Sequence, residues 1–325
     1  MSRANRCFRR EGIARGDGVV METQRSFLRF HETIKSADFR DNPLLRRRKR
    51  RLVHLLGSVL PQPFDVLEMG AFAMGTGTPT PGGASNIDLG LVFEGSPLRR
   101  NVHVYEALVS EALGAESLAY SWRESCVRIV DEPRTASAVD LRIYLKDERG
   151  ALHLAVGKRG AASGRRRWRR EDPTGFLAHV RRRFRGEEGL QFRRTIRYLK
   201  RWRDRNFSRD ALSAPRGIVL TLAALHGFTP SRSWASIGSG PRTLDDLGAL
   251  IHIVQWLENQ TSNGRRLVLE MPVHPYDDVC IKLSEAWMTE FSAKLKTLHQ
   301  HLNEARAHET LSPLREVFGH DFPKV

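Results

Sequence analysis

The sequence predicts an α/β (α+β) protein with two lobes, and three observations carry that prediction. Apolar residues fall in short blocks of strand length between residues 64 and 156. From Pro173 onward they recur at helical spacing. The 325 residues also exceed the length at which one hydrophobic core keeps growing, about 250–300 residues, so two lobes are affordable. The expected division is a flexible tail over residues 1–21, a core with N-terminal helices over 22–172, and a helical lobe over 173–325.

In chain order, Met1 to Val20 is rich in Arg and Gly and lacks periodicity, so it reads as a tail, or as an upstream extension if Met21 is the start. Helices follow over Glu22–Ile34 and Leu44–Leu60; in the second, Leu45, Leu52, Leu55, Leu56 and Val59 form one face opposite the run Arg46 to Arg51. Phe64 to Met69 reads as a strand, after which Gly70-Ala71-Phe72-Ala73-Met74-Gly75-Thr76-Gly77 turns sharply into a Pro/Gly loop at Pro79–Gly83. Ile87 to Phe93 is a strand apolar enough to be buried. Val102–Leu113 suits a helix. Cys126–Val130 and Val139–Leu145 suit strands, the second turning through Asp147–Gly150 into Ala151–Val156, which gives the sheet an antiparallel character. The Gly/Ser/Arg stretch from Arg159 to Arg167 is the expected connection between lobes. Helical spacing then covers Leu190–Trp202, Gly217–His226, Leu244–Asn259 and Asp278–Ala307.

Composition narrows the function classes. Hydrophobic residues at 40% and charged residues at 28% exclude wholesale disorder. Cys7, Cys126 and Cys280 are too scattered for a disulfide framework or a cysteine metal cluster. No apolar run approaches the roughly 18 residues of a membrane span, and the first twenty residues lack an apolar signal core, so a cytoplasmic protein with no membrane partner is expected. The net charge of +16 is concentrated between Arg159 and Arg209. Such a stretch, with Trp168 and Phe184 interleaved, suits phosphates of a nucleotide or of a nucleic acid.

Chemistry enters at Asn86, Asp88 and Asp140. Residues at i and i+2 of a strand share a face, so positions 86 and 88 project together, and an adjacent antiparallel strand is expected to bring Asp140 beside them. Carboxylates in that arrangement hold divalent cations for phosphoryl or nucleotidyl transfer. The Gly70–Gly77 turn, entering a helix, offers backbone N–H groups and a positive helix end to a triphosphate.

These segments resemble a known family. Gly70-Ala71-Phe72-Ala73-Met74-Gly75-Thr76-Gly77 followed by Asn86-Ile87-Asp88-Leu89-Gly90-Leu91-Val92-Phe93 is similar to the signature of the bacterial CD-NTases. These are the cyclic oligonucleotide synthases of antiphage (CBASS) systems, relatives of cyclic GMP-AMP synthase and oligoadenylate synthase within the DNA polymerase β superfamily. The likeness extends through Phe30–Lys35, Val139–Tyr144, Leu152–Lys158, Gln191–Asp204, Met271–Asp278 and Val317–Pro323.

The resemblance implies a polymerase β-like nucleotidyltransferase core with a mixed sheet and a mostly helical C-terminal lobe. It implies Asp88, Asp140 and Asn86 as ligands of two Mg²⁺ or Mn²⁺ ions, with Asp140 helping to activate an attacking ribose hydroxyl. It implies Gly70, Ala71, Gly75, Thr76, Lys158 and Lys200 as nucleotide contacts. Its substrates would be NTPs, ATP among them, and its partners a nucleic-acid or protein activator on the basic surface and a downstream effector. Base choice is expected to rest on the helical lobe near Ser231–Ser239.

Two positions depart from the family pattern. Ala71 stands where the family usually has Ser, and Asn86 where it usually has Asp. Ala71 removes a hydroxyl donor worth about 1–3 kcal/mol if charge-assisted. Asn86 removes a full negative charge from the cation site. The expectations left open are a slow or Mn²⁺-preferring enzyme, a nucleotide-binding protein without efficient turnover, or an introduced Asp-to-Asn change, which would leave Ala71 unaccounted for.

Overall fold

A computed structural model describes residues 22–35, 42–79, 86–132, 137–157, 166–208, 214–233 and 243–324. Lys158, the tail, most of the Pro79–Gly83 loop, residues 159–165 of the expected connection and most of Ser231–Ser239 lie outside the described residues. The rest divides into two units. A sheet unit draws on Ser36–Val180 and Met271–Asp277, and a helical unit on Met1–Lys35, Arg181–Glu270 and Asp278–Val325.

The sheet unit opens with helix α2 (Pro43–Val59), which follows α1 (residues 22–34) in the chain. Its start is set by Asn42, whose side-chain oxygen accepts from the N–H groups of Leu44 and Leu45, with Pro43 in the first turn where its missing N–H is harmless. Then come β1 (Asp65–Met69), the five-residue helix α3 (Gly70–Met74), β2 (Asn86–Glu94) and α4 (Val102–Ala115). The hairpin β3 (Ala119–Trp122) and β4 (Val127–Glu132) leads into β5 (Ser137–Lys146), β6 (Leu152–Val156), β7 (Arg167–Arg170) and α5 (Pro173–Arg183).

Among the described residues the seven strands form one mixed sheet, ordered β1-β2-β5-β4-β3, with β6 beside the end of β5 and β7 beside β6. Ile87, Leu89, Leu91 and Phe93 of β2 alternate with Asp88, Gly90 and Val92. With Val139, Leu141, Ile143 and Leu145 of β5 they make a core closed by Leu52, Leu55 and Leu56 of α2 and Val102, Tyr105 and Val109 of α4. Each such side chain, once fully buried, contributes about 1.5–3 kcal/mol. The alternation turns Asp88, Asp140 and Arg142 to the opposite face, beside a smaller cluster of Met69, Val92, Tyr144 and Leu154.

One expectation about the sheet is corrected. β5 is the parallel partner of β2, not its antiparallel one. The chain between them carries α4 and the β3–β4 hairpin, and a connection of that length with a helix in it is the crossover a parallel pair requires.

The helical unit holds α1, α6 (Gly186–Asn206), α7 (Gly217–Gly227), α8 (Asp246–Thr261), α9 (Glu285–Ala307) and α10 (Ser312–Phe318). The expected 22–172 core placed α1 with the sheet, but it packs in this unit instead. Phe27 and Phe30 are fully buried against Tyr198, Phe318 and Phe322. Gln24 Oε1 accepts from the N–H of Asp246 at 2.8 Å. The last long helix starts at Glu285, seven residues later than its periodicity suggests. Asp278 is held in the preceding loop, where Oδ1 accepts from the N–H groups of Leu269 and Cys280, and Ser284 caps α9 by accepting from Trp287 N. No helix among the described residues is long and apolar enough to cross a membrane.

Candidate functional site

The polar face of β2, β5 and β4 gathers the residues with chemistry. Asp88 and Asp140 are direct register partners across the parallel β2–β5 pair, on strands about 4.8 Å apart. On the other side of β2, Met69 pairs with Asp88, which brings the β1–α3 corner over the carboxylate. Gly70, at φ +59°, is the residue at that corner. A Cβ there would stand 2.2 Å from Asp88 Oδ2 and 2.8 Å from its Cγ, so position 70 admits no side chain while Asp88 keeps its place.

Asn86 sits two residues before Asp88, opposite Ala138, and its Oδ1 accepts from the Ala138 N–H at 3.2 Å. The amide oxygen that could face a cation is thus also an acceptor for the first residues of β5. Asp140 has the opposite condition. Its Oδ1 is buried and accepts no hydrogen bond among the described residues, and Arg128 of β4 places its Nε 3.9 Å away. Arg128 is the register partner of Asp140 on that side.

Behind this pair the same face of β5 continues with Arg142 and Tyr144. Tyr144 Oη donates to Glu171 Oε2 at 2.6 Å and Arg142 Nη1 to Glu171 Oε1 at 3.4 Å. Burial opposes the Arg142 charge, but Tyr144, Glu171 and Asp88 outweigh it and hold the guanidinium above its ordinary range. Burial pushes the Tyr144 phenol well up, and Glu171 adds to this. Gly90 makes room for the Tyr144 ring, since a Cβ there would stand 3.0 Å from Cε2. Burial also raises the Cys126 thiol, with the charges of Asp140 and then Asp88 acting in the same direction. That thiol therefore stays protonated beside two negative neighbours.

The other predicted contacts separate. Gly75 adopts the left-handed conformation that ends α3, and its N–H turns back to Ala71 O and Phe72 O. Thr76 donates its N–H to Ala71 O at 2.9 Å and is fully buried. Through these backbone bonds both residues hold the turn together. Gly70 and Ala71 remain at the first turn of α3, where N–H groups have no carbonyl within the helix. Lys200 lies on α6 of the helical unit and is 6% exposed.

The sequence reading missed Arg128, Arg142, Tyr144 and Glu171. The signal for two of them was readable, because Arg142 and Tyr144 follow Asp140 at strand period. Arg128 and Glu171 join only through pairing across strands.

Several arginines of the basic stretch are held by partners within the protein. Arg166 and Glu106 form an ion pair with both side chains almost completely buried, and Arg166 also donates to Gly157 O and Glu124 O. Arg194 grips Asp246 with two hydrogen bonds of 2.6 and 2.7 Å, Arg197 Nη1 lies 2.9 Å from His31 Nε2, and Arg201 pairs with Asp321. The aromatic residues expected to stack on bases are core anchors as well. Trp168 Nε1 donates to Arg100 O, and Phe184 stacks on Phe192 at 4.4 Å. Arginines retaining exposure include Arg167, Arg170, Arg181, Arg182, Arg183 and Arg185.

Comparison with known proteins gives fold relatives only. No protein-family model matches the chain, and no curated protein matches it. Among solved structures, the CD-NTase CdnG of Bradyrhizobium diazoefficiens in complex with GTP aligns with a TM-score of 0.66 at 15% identity, covering 90% of this chain and 94% of that one. Escherichia coli DncV in its 3'-deoxy GTP bound form aligns at 0.60 and 17% identity, covering 100% and 93%. Vibrio cholerae DncV cyclic AMP-GMP synthase, in complex with the linear intermediate 5' pppA(3',5')pG, aligns at 0.59 and 17%, covering 97% and 87%. The chain has the CD-NTase fold, an α+β architecture with a mixed sheet.

Proposed function

We propose that this chain, having the CD-NTase fold, is a nucleotidyltransferase that builds a cyclic oligonucleotide second messenger from NTPs, ATP or GTP among them, in antiphage (CBASS) signalling. The observation that carries the reading is the side-by-side pair Asp88 and Asp140, packed against a corner where Gly70 leaves no room for a side chain. In the proposed reaction a ribose hydroxyl attacks the α-phosphorus of a bound NTP. The new P–O bond forms as the bond to pyrophosphate breaks, and a second transfer closes the ring. Gly70 and Ala71 offer backbone N–H groups to the triphosphate, and Asp140 offers a buried acceptor oxygen toward the hydroxyl. Lys200 and Lys158 are proposed as further phosphate contacts.

The residues fit a divalent cation, with the donor set favouring one ion over the two expected. Asp88 and Asp140 are hard oxygen ligands, and the buried Asp140 Oδ1 lacks a hydrogen-bond donor. Among the described residues no group of three or more His, Cys, Asp or Glu side chains could hold a metal. Asn86 contributes no charge, and its oxygen already serves Ala138 N–H. A cation bound there would neutralise phosphate oxygens.

A second reading, favoured by the state of Asn86 and by Arg128 beside Asp140, is a protein that binds nucleotide with little turnover. Incubating the purified chain with the four NTPs and Mg²⁺ or Mn²⁺, then analysing phosphatase-resistant products, separates the two. A cyclic product that disappears in Asp140→Asn supports the enzyme. Saturable nucleotide binding with no product in either metal supports the second reading.

A further inference from the structure

We infer that Arg193 of α6 is the centre of a phosphate-binding site on the helical unit. The site is made of residues of that unit alone and is independent of the transferase reading; Lys200 follows Arg193 by seven residues, about two turns further along the helix. Local sequence builds the seat. Phe184 is buried against Phe192 and Phe228, which fixes the arginine-rich segment 181–185 beside the start of α6. Gly189, in the first turn, lets the chain pack closely there: a Cβ would stand 2.7 Å from Phe184 O and 3.7 Å from Arg193 Nη1. The Arg193 guanidinium is thereby turned back toward the beginning of the helix, where the arginines of the segment lie.

What sets Arg193 apart is that nothing answers its charge. It is half-buried, and among the described residues it makes no hydrogen bond and no ion pair. Its neighbours on α6 differ: Arg194 is matched by Asp246, and Arg197 lies against His31. The acids of the first turn do not serve it either, since Glu187 pairs with Arg232 at 3.4 Å and no carboxylate opposes the forces acting on Arg193. Burial disfavours its charged form, and the charges of Arg181 and then Arg194 act in the same direction. An arginine has no escape by losing its proton. A guanidinium in that setting gains more from an anion than one on an open surface does. Phosphate suits it, because a dianion with three acceptor oxygens can take the planar fork of Arg193 and still face a second guanidinium. Arg182, Arg183 and Arg185 are exposed along the same segment and extend the positive surface, with Arg183 lying 5.5 Å over the Phe184 ring.

The test is thermal melting of the full chain in sodium chloride and in sodium phosphate at equal ionic strength, without nucleotide or divalent metal. The native chain is expected to melt higher in phosphate. Arg193→Gln should weaken phosphate binding about tenfold or more, the loss of a charge-assisted hydrogen-bonded pair. In chloride it should melt no lower than native, because the cation it removes has no partner; an arginine with a structural role would melt lower. Arg193→Lys, which keeps the charge without the fork, should fall between, and Asp140→Asn should leave the effect of phosphate unchanged. Anisotropy of a labelled single-stranded oligothymidylate separates the sources of the phosphate. Binding that falls steeply with salt and is lost in Arg193→Gln assigns the site to a nucleic-acid backbone. Phosphate stabilisation that depends on Arg193, with oligonucleotide binding equal in native and variant, assigns it to a small phosphate. The same response to phosphate and to the oligonucleotide in native and Arg193→Gln, or an Arg193→Gln chain that melts well below native in chloride or does not fold, would overturn the inference.

Discussion

Gly70→Ala is the most direct test of the site. The added Cβ would meet Asp88 Oδ2 at 2.2 Å, whereas an ordinary contact is no closer than 3.4 Å, so the carboxylate must retreat by the difference, 1.2 Å. The alanine must also hold φ +59°, a left-handed conformation that costs an L-residue about 1–2 kcal/mol. Asp88 is anchored in β2 between β1 and β5, so the strand cannot slide to relieve the clash, and the side chain has to rotate away. We expect a destabilisation of about 1–3 kcal/mol, read as a fall in melting temperature of about 2–4 °C per kcal/mol for a unit of this size. A displacement of about 1 Å in a reacting group can lower turnover by about 100-fold. The assay is paired: thermal melting, and cyclic product formation with Mn²⁺ or nucleotide affinity if turnover is slow. Gly70→Ala with native melting, native affinity and native product would refute the argument that this corner is shaped around Asp88.

Other perturbations test separate links. Asn86→Asp should increase incorporation of radiolabelled NTP with Mg²⁺, and unchanged incorporation would discard position 86 as the limit on catalysis. Glu106→Gln leaves the buried Arg166 charge without its partner and should cost about 3–5 kcal/mol in denaturant unfolding; a loss under 1 kcal/mol would mean the pair is replaced by water. His31 is lowered to about 4, by burial first and then by Arg197, with Arg194 and Lys35 adding and Glu32 opposing. Its folded value lies below the unfolded one, so the unfolded chain binds the proton first. Stability from this group is complete above about pH 6.5 and declines as pH falls toward 4. Melting across that range should show a slope of up to about one proton that His31→Gln lacks; equal slopes in the two proteins would rule out His31 as its source.

The readable part of this protein was local. Alternation in β2 placed Asp88 opposite Ile87 and Leu89, and the positive-φ glycine at 70 was marked by the turn that contains it. Leu45, Leu52, Leu55 and Leu56 of α2 are buried as their spacing predicts, because a helix sets the direction of its side chains by its own period, whereas Val59 of the same predicted face is exposed. The role of a charged side chain, by contrast, depends on its partner. Arg166, Arg194, Arg197 and Arg201 read as part of a basic stretch suited to phosphates, yet Glu106, Asp246, His31 and Asp321 claim them from 60, 52, 166 and 120 residues away. Composition counts charges but does not pair them.

What the sequence determined by itself was therefore the signature, the substitutions at 71 and 86, and which face of each strand its carboxylates take. Tertiary structure decided that β5 runs parallel to β2, that α1 joins the helical unit, and that Asp140 of β5 pairs with Arg128 of β4. The physical reason is range. Side-chain direction follows from backbone geometry over two to four residues, whereas strand orientation, register and the neutralisation of a buried charge depend on segments brought together only when the whole core closes.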